Sequence, residues 1–117
     1  ESAPRPHTSG HHTIECNVTS QFEQHMRSVL NLPLGSTERI REGAMINLVG
    51  EAGHTGNAKY EGLREIMRMP GVHVHLYGKK DTKPNRKMGH ITVAQKNISD
   101  AKRIASEVKE KIRIVAD

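Results

Sequence analysis

Tryptophan is absent, and only three aromatic side chains occur: Phe22, Tyr60 and Tyr77. The core must therefore be built from Val, Ile, Leu, Met and Ala. The same shortage argues against a single-strand nucleic-acid binder, which stacks bases on aromatic rings. The one cysteine, Cys16, excludes an intramolecular disulfide framework and suits a reducing compartment, so a cytoplasmic protein is expected. No run approaches the roughly 18 apolar residues of a membrane span, and no membrane partner is expected. No secretory signal pattern opens the sequence. An initiator Met is also missing. The dense polar start, Glu1-Ser2-Ala3-Pro4-Arg5-Pro6-His7, leads us to expect a piece of a longer chain.

What is present is positive charge. The 117 residues carry a formal +5 and a pI near 9.6, which suits an anionic partner such as a nucleotide, a phosphorylated metabolite or nucleic acid. The length allows one small domain with a modest core. Five cations crowd into one short stretch: Lys79, Lys80, Lys83, Arg86 and Lys87. Apolar alternating runs flank it on both sides, so the cations are placed in a loop between two strands. Such a loop suits a doubly charged anion such as a phosphate monoester, although a charge run by itself is also what a solvated turn looks like.

The periodicities outline the elements. Pro4 and Pro6 force the first residues into an extended path. Ser20-Gln21-Phe22-Glu23 has the form of a capping box. Phe22, Met26, Val29 and Leu30 follow on one helical face, which predicts a helix over residues 20–31. Residues 34–43 read as a polar connector, and the apolar run 44–50 as a buried strand. A glycine-containing loop over 51–58 leads to a second predicted helix over 58–69, with Tyr60, Leu63 and Met67 on one face. Residues 72–78 alternate as a strand, with Val72, Val74 and Leu76 on one face and His73, His75 and Tyr77 on the other. Residues 88–94 form the return strand, and Ala101, Ile104, Ala105, Val108 and Ile112 mark a last helix over 98–112. The class is α/β or α+β: the three strands in one small mixed or antiparallel sheet, with the first and last helices packed on it. His7, His11 and His12 lack the carboxylate or Cys companion that a zinc site needs. His73 and His75 read as partners on a solvated sheet face rather than a metal pair.

Four ordered motifs carry a resemblance. Residues 1–11 (ESAPRPHTSGH), Thr19-Ser20-Gln21-Phe22-Glu23, Leu32-Pro33-Leu34-Gly35, and Tyr77-Gly78-Lys79 with residues 84–90 (PNRKMGH) are similar to the C-terminal third of the carboxyaminoimidazole ribonucleotide synthases. These are the ATP-dependent subunits or domains of phosphoribosylaminoimidazole carboxylase, ATP-grasp enzymes of purine biosynthesis. The match runs from residue 1 to about residue 93; the final helix carries no such motif.

The resemblance implies a reaction: ATP and bicarbonate form carboxyphosphate, which carboxylates the amine of 5-aminoimidazole ribonucleotide. It implies a division of the chain, with 1–43 ending the ATP-grasp domain and 44–117 forming a small C-terminal α/β domain that carries the basic loop. It also implies roles. Glu1 would bind magnesium together with ATP, since a hard cation needs carboxylate oxygens. Arg5 and His7 would line the reaction centre, where a guanidinium stabilises bicarbonate or carboxyphosphate. Lys79 and Arg86 would hold the ribose phosphate. Ser9, Gly10 and His11 would hold the loop in shape. Thr8 stands where the family has Asn, His12 where it has an aromatic, and Lys83 where it often has Arg. The expected partners are ATP, bicarbonate and aminoimidazole ribonucleotide, with no nucleic acid, and the parent enzyme is expected to be a homodimer. In some relatives this region is fused to a downstream mutase domain. The fragment alone should be inactive. Two alternatives stay open at this point: the formate-dependent glycinamide ribonucleotide formyltransferase, a related ATP-grasp protein, and a basic nucleic-acid-binding module.

Overall fold

The computed structural model describes residues 2–117. A single-turn helix at Thr8–Gly10 and the short α1 (Thr13–Cys16) precede α2 (Gln21–Val29). There follow β1 (Glu42–Val49), β2 (Gly56–Glu61), α3 (Leu63–Met67), β3 (Val72–Leu76), β4 (Asp81–Thr82), β5 (Lys87–Gln95), α4 (Ile98–Lys111) and β6 (Arg113–Ala116). The strands form two three-stranded antiparallel sheets, ordered β1-β5-β3 and β4-β2-β6.

The three apolar runs are strands of one sheet, as expected from their patterning. Ile91 and Val93 of β5 face the core with Ile46 and Leu48 of β1 and Val72 and Val74 of β3. α4 covers this face through Ala101, Ile104, Ala105 and Val108. Its start is fixed by Asn97, whose side-chain oxygen accepts the Asp100 N–H at 2.9 Å. α2 also starts as its capping box requires, with Ser20 Oγ accepting the Glu23 N–H at 3.1 Å.

Three expectations need correction. Residues 58–69 are not one helix: β2 occupies 56–61 and only Leu63–Met67 is helical. Tyr60, Leu63 and Met67 do fit a helical face, but Gly62, at φ 83°, breaks the chain between strand and helix. The strand is held by pairing with β6, an element absent from the predicted set. Second, the basic stretch is not a free loop, because Asp81–Thr82 pairs with β2. Third, α2 does not pack on the sheet. Phe22, Met26, Val29 and Leu30 are 40%, 54%, 67% and 59% exposed, so its apolar stripe has no layer beneath it among the described residues.

The two sheets meet at Gly50. Its N–H donates to the Arg86 carbonyl at 3.0 Å and its carbonyl accepts the Asn85 N–H at 3.0 Å. The neighbouring Glu51 N–H donates to Ile114 O of β6 at 2.9 Å. A side chain here would collide with backbone, since a Cβ would lie 2.1 Å from Lys83 O. Gly50 therefore clamps the basic stretch onto the end of β1.

Candidate active-site segment and basic loop

The face of the β1-β5-β3 sheet opposite the core carries the polar residues. Asn47, His90 and His75 lie side by side across the three strands. The N-terminal segment packs over this face through α1, whose Cys16 is fully buried. Burial, with Glu15 and Glu42 nearby, pushes the Cys16 thiol pKa up, so this sulfur stays protonated. Glu15 reaches across to bond His75 Nε2.

Gln21 holds the segment that contains His7. Its Nε2 donates to the His7 carbonyl at 2.8 Å and to His11 Nδ1 at 2.7 Å. Its Oε1 accepts the His7 N–H at 3.1 Å. Thr13 Oγ1 accepts the Gln21 N–H at 2.9 Å and donates to Gly10 O at 2.6 Å, closing the turn. Gly10 must be small, because a Cβ would sit 2.5 Å from Gln21 Oε1. Ser9 N–H donates to His7 Nδ1 at 3.3 Å. Nδ1 thus accepts here, which leaves Nε2 as the donor nitrogen of the His7 ring. Ser9, Gly10 and His11 accordingly shape the loop. Arg5 is exposed and lines an open groove of about 610 Å³ with Gln24 and His25 of α2.

His11 continues the connection into the sheet. Its ring lies 4.8 Å from that of His90, which stacks on His75 at 4.4 Å between centroids. His90 is 3% exposed, and burial, with His75 and His11 nearby, lowers its pKa to about 4. His11 is lowered as well, by burial and then by His7, His75 and Lys87. Both rings are neutral at pH 7. Tyr77 OH and His90 Nδ1 are hydrogen-bonded at 2.9 Å, and burial raises the Tyr77 pKa, so the phenol keeps its proton.

The basic loop begins beside Tyr77. The turn is made by Gly78, at φ 73°, and Asn85, at φ 64°, a conformation that Asn tolerates better than most side chains. Lys79 Nζ lies 6.0 Å from the Tyr77 ring centroid and donates to Lys87 O at 2.6 Å. Arg86 is partly buried, its backbone fixed by Gly50 and by its own N–H to Lys83 O at 3.1 Å. Among the described residues, none of the five loop cations is in an ion pair, whereas Arg27, Arg39, Arg103 and Lys111 all are. The loop thus gathers five cations outside ion pairs, against the one carboxylate of Asp81, on a fixed backbone.

Glu1 lies outside the described residues. Among those described, no group of three or more His, Cys, Asp or Glu side chains could hold a metal. Taken alone they do not fit a magnesium site. No helix is long and apolar enough to cross a membrane.

Sequence reasoning missed Gln21, which it read only as part of a cap, and the Tyr77–His90 bond. The alternation of residues 72–78 put His75 and Tyr77 on one face; pairing the two flanking strands antiparallel would have placed His90 against them.

Comparison with known proteins agrees with this architecture. The model of the phosphoribosylaminoimidazole carboxylase C-terminal domain matches residues 43–104, more than half of the 117. The N5-carboxyaminoimidazole ribonucleotide synthase of Bacillus subtilis is 47% identical over 92 residues, covering 79% of this chain and 23% of the relative. The crystal structure of N5-carboxyaminoimidazole ribonucleotide synthetase from Thermotoga maritima is 50% identical with a TM-score of 0.96, covering 98% of this chain and 32% of that one. That of the Aspergillus clavatus synthase, in complex with ADP and 5-aminoimidazole ribonucleotide, is 34% identical with a TM-score of 0.78, covering 91% of this chain and 28% of that one. The chain therefore spans only about a quarter to a third of these relatives' length. By its sequence match and its fold, this chain belongs to the family of the phosphoribosylaminoimidazole carboxylase C-terminal domain.

Proposed function

We propose that this chain is the C-terminal part of an enzyme that carboxylates 5-aminoimidazole ribonucleotide with ATP and bicarbonate. Phosphoryl transfer from ATP to bicarbonate gives ADP and carboxyphosphate. The substrate amine then attacks the carboxyphosphate carbon and expels phosphate. Within this chain, Lys79 and Arg86 hold the ribose 5-phosphate, Arg as a fork and Lys as a point charge. His7 donates from Nε2, and the Arg5 guanidinium stabilises negative charge on carboxyphosphate. Residues 1–43 close the ATP-grasp domain, and 44–117 supply the phosphate loop. Glu1 would supply one carboxylate towards magnesium and ATP, and the cation would offset phosphate charge there. A homodimeric, cytoplasmic parent belongs to the same reading.

The observation that carries the proposal is the pinned, unpaired cationic loop in a chain of this family. A fixed backbone lowers the entropic cost of gathering cations around a dianion. The Aspergillus clavatus relative, solved with ADP and the ribonucleotide, supports the choice of substrate.

The test is turnover by two proteins. The intact parent should release ADP only when bicarbonate and aminoimidazole ribonucleotide are both present, and Glu1→Ala should impair that turnover. The 117-residue chain alone should show none. Turnover by the isolated chain, or a parent indifferent to the ribonucleotide, would contradict the reading.

A further inference from the structure

The proposed function places the two ends of one substrate on two chain segments more than seventy residues apart, His7 and Lys79. Something must set the distance between them. Covalent connection cannot, because α2, both sheets and long loops intervene. Glu15 ties α1 to His75 of β3, and a second line of contacts runs from His7 itself to the loop. The His7 backbone is gripped by Gln21, Gln21 bonds His11, the His11 ring lies on His90, and His90 bonds the Tyr77 hydroxyl. Tyr77 stands two residues before Lys79, whose ammonium lies over its ring.

His90 is the junction of that line. It is the one member that is itself part of the central strand β5, so its position is fixed by ladder bonds on both sides. The strands approach closely beside it, since a Cβ on Gly89 would lie 2.3 Å from His75 O. On one face its ring meets the N-terminal segment, and its Nδ1 faces the loop. Its buried Nε2 has no partner among the described residues, so Tyr77 makes its one hydrogen bond there.

We propose that His90 is a positioning residue: it registers the segment bearing His7 and the loop bearing Lys79 against one rigid strand, and thereby sets the span between the reacting end and the phosphate end of the substrate. The inference rests on the functional reading above. Its chemical content is narrow. In this role His90 acts through Tyr77 on one side and His11 on the other. Neutral imidazole suits this role, because burial disfavours a charged ring at this position.

The experiment is a double-mutant cycle in the intact parent enzyme. His90→Phe keeps the stacked ring and removes the bond to Tyr77. Tyr77→Phe removes the same bond from the half-exposed side and leaves the ring in place, a change the fold should tolerate. Each single variant should raise KM for aminoimidazole ribonucleotide by about three- to tenfold, the effect of one hydrogen bond, with KM for ATP unchanged. The double variant should be no worse than either single one, because both remove one interaction. Unchanged KM for the ribonucleotide in folded Tyr77→Phe, equal losses for ATP and ribonucleotide, or additive effects would overturn the proposal. Lys79→Ala and Arg86→Ala serve as the parallel arm. If they weaken ribonucleotide binding while the Tyr77 and His90 variants do not, only this inference fails. If they too leave it unchanged, the phosphate-loop reading fails with it.

Discussion

Gln21 binds the backbone of His7 by both of its polar groups: Nε2 donates to the His7 carbonyl at 2.8 Å, and Oε1 accepts the His7 N–H at 3.1 Å. The pairing mimics a strand of backbone. It lets a side chain on α2 anchor an extended segment that proline prevents from becoming a helix. Gln21→Ala removes both bonds and the contact to His11, each worth about 0.5–1.5 kcal/mol. The expected outcome is local. Amide hydrogen exchange over residues 7–11 should accelerate about tenfold or more, while strands β1 and β5 keep their protection. Unchanged exchange in that segment would show that other contacts hold it.

Gly50→Ala should destabilise the fold and the loop together. The added Cβ would lie 2.1 Å from Lys83 O and 2.4 Å from Thr82 Oγ1, and backbone cannot step aside as a side chain would. A loss of about 1–3 kcal/mol is expected, as for other overpacked sites, and shows as a lower urea midpoint. Gly53→Ala is a useful control, because a Cβ there meets nothing within 4 Å, although its φ of 80° adds some strain. A midpoint for Gly50→Ala no lower than that of Gly53→Ala would contradict the clamp.

Stability should fall with acid in a way that depends on His90. Its pKa in the fold is about 4, below the ordinary 6.5, so the unfolded chain takes up a proton before the folded one does. The stability that this neutral ring contributes is therefore complete above pH 6.5 and is lost as pH falls towards 4. His11 shifts in the same direction. Urea midpoints at pH 8, 6 and 4.5 check this, with His90→Phe as the reference for all other groups. The variant should lose less stability than the parent between pH 6.5 and 4. Equal slopes would place His90 outside the acid response.

Much of this fold could be read from the chain because local pattern and tertiary context agree in it. Residues 72–78 alternate because β3 has one core face, and the capping residue Ser20 acts through a neighbour three residues away. The errors arose where context overrode pattern. Residues 58–69 have a helical spacing of apolar residues, yet β2 at their start is a strand because β6 pairs with it from the far end of the sequence. β6 itself is four residues long and follows α4 with no turn residue between them, although Ile112, Ile114 and Val115 form a β-branched run. α2 has the stripe of a packed helix, yet among the described residues the sheet does not cover it, and only Phe22 finds a ring to pack on, that of His11 at 5.4 Å. At the site, the motif residues themselves were legible. The bonds from Gln21 to His7 and from Tyr77 to His90 were not, because they depend on how segments dock, which spacing along the chain does not encode.

The central claim is that Lys79 and Arg86 hold the phosphate of the substrate, and equilibrium binding of aminoimidazole ribonucleotide to the intact parent tests it most directly. Each charged hydrogen bond to phosphate is worth about 1.5–3 kcal/mol. Lys79→Ala and Arg86→Ala should therefore each weaken ribonucleotide binding by about one to two orders of magnitude, with ATP affinity almost unchanged. Wild-type ribonucleotide affinity in both variants would contradict the account and leave the loop a solvated turn.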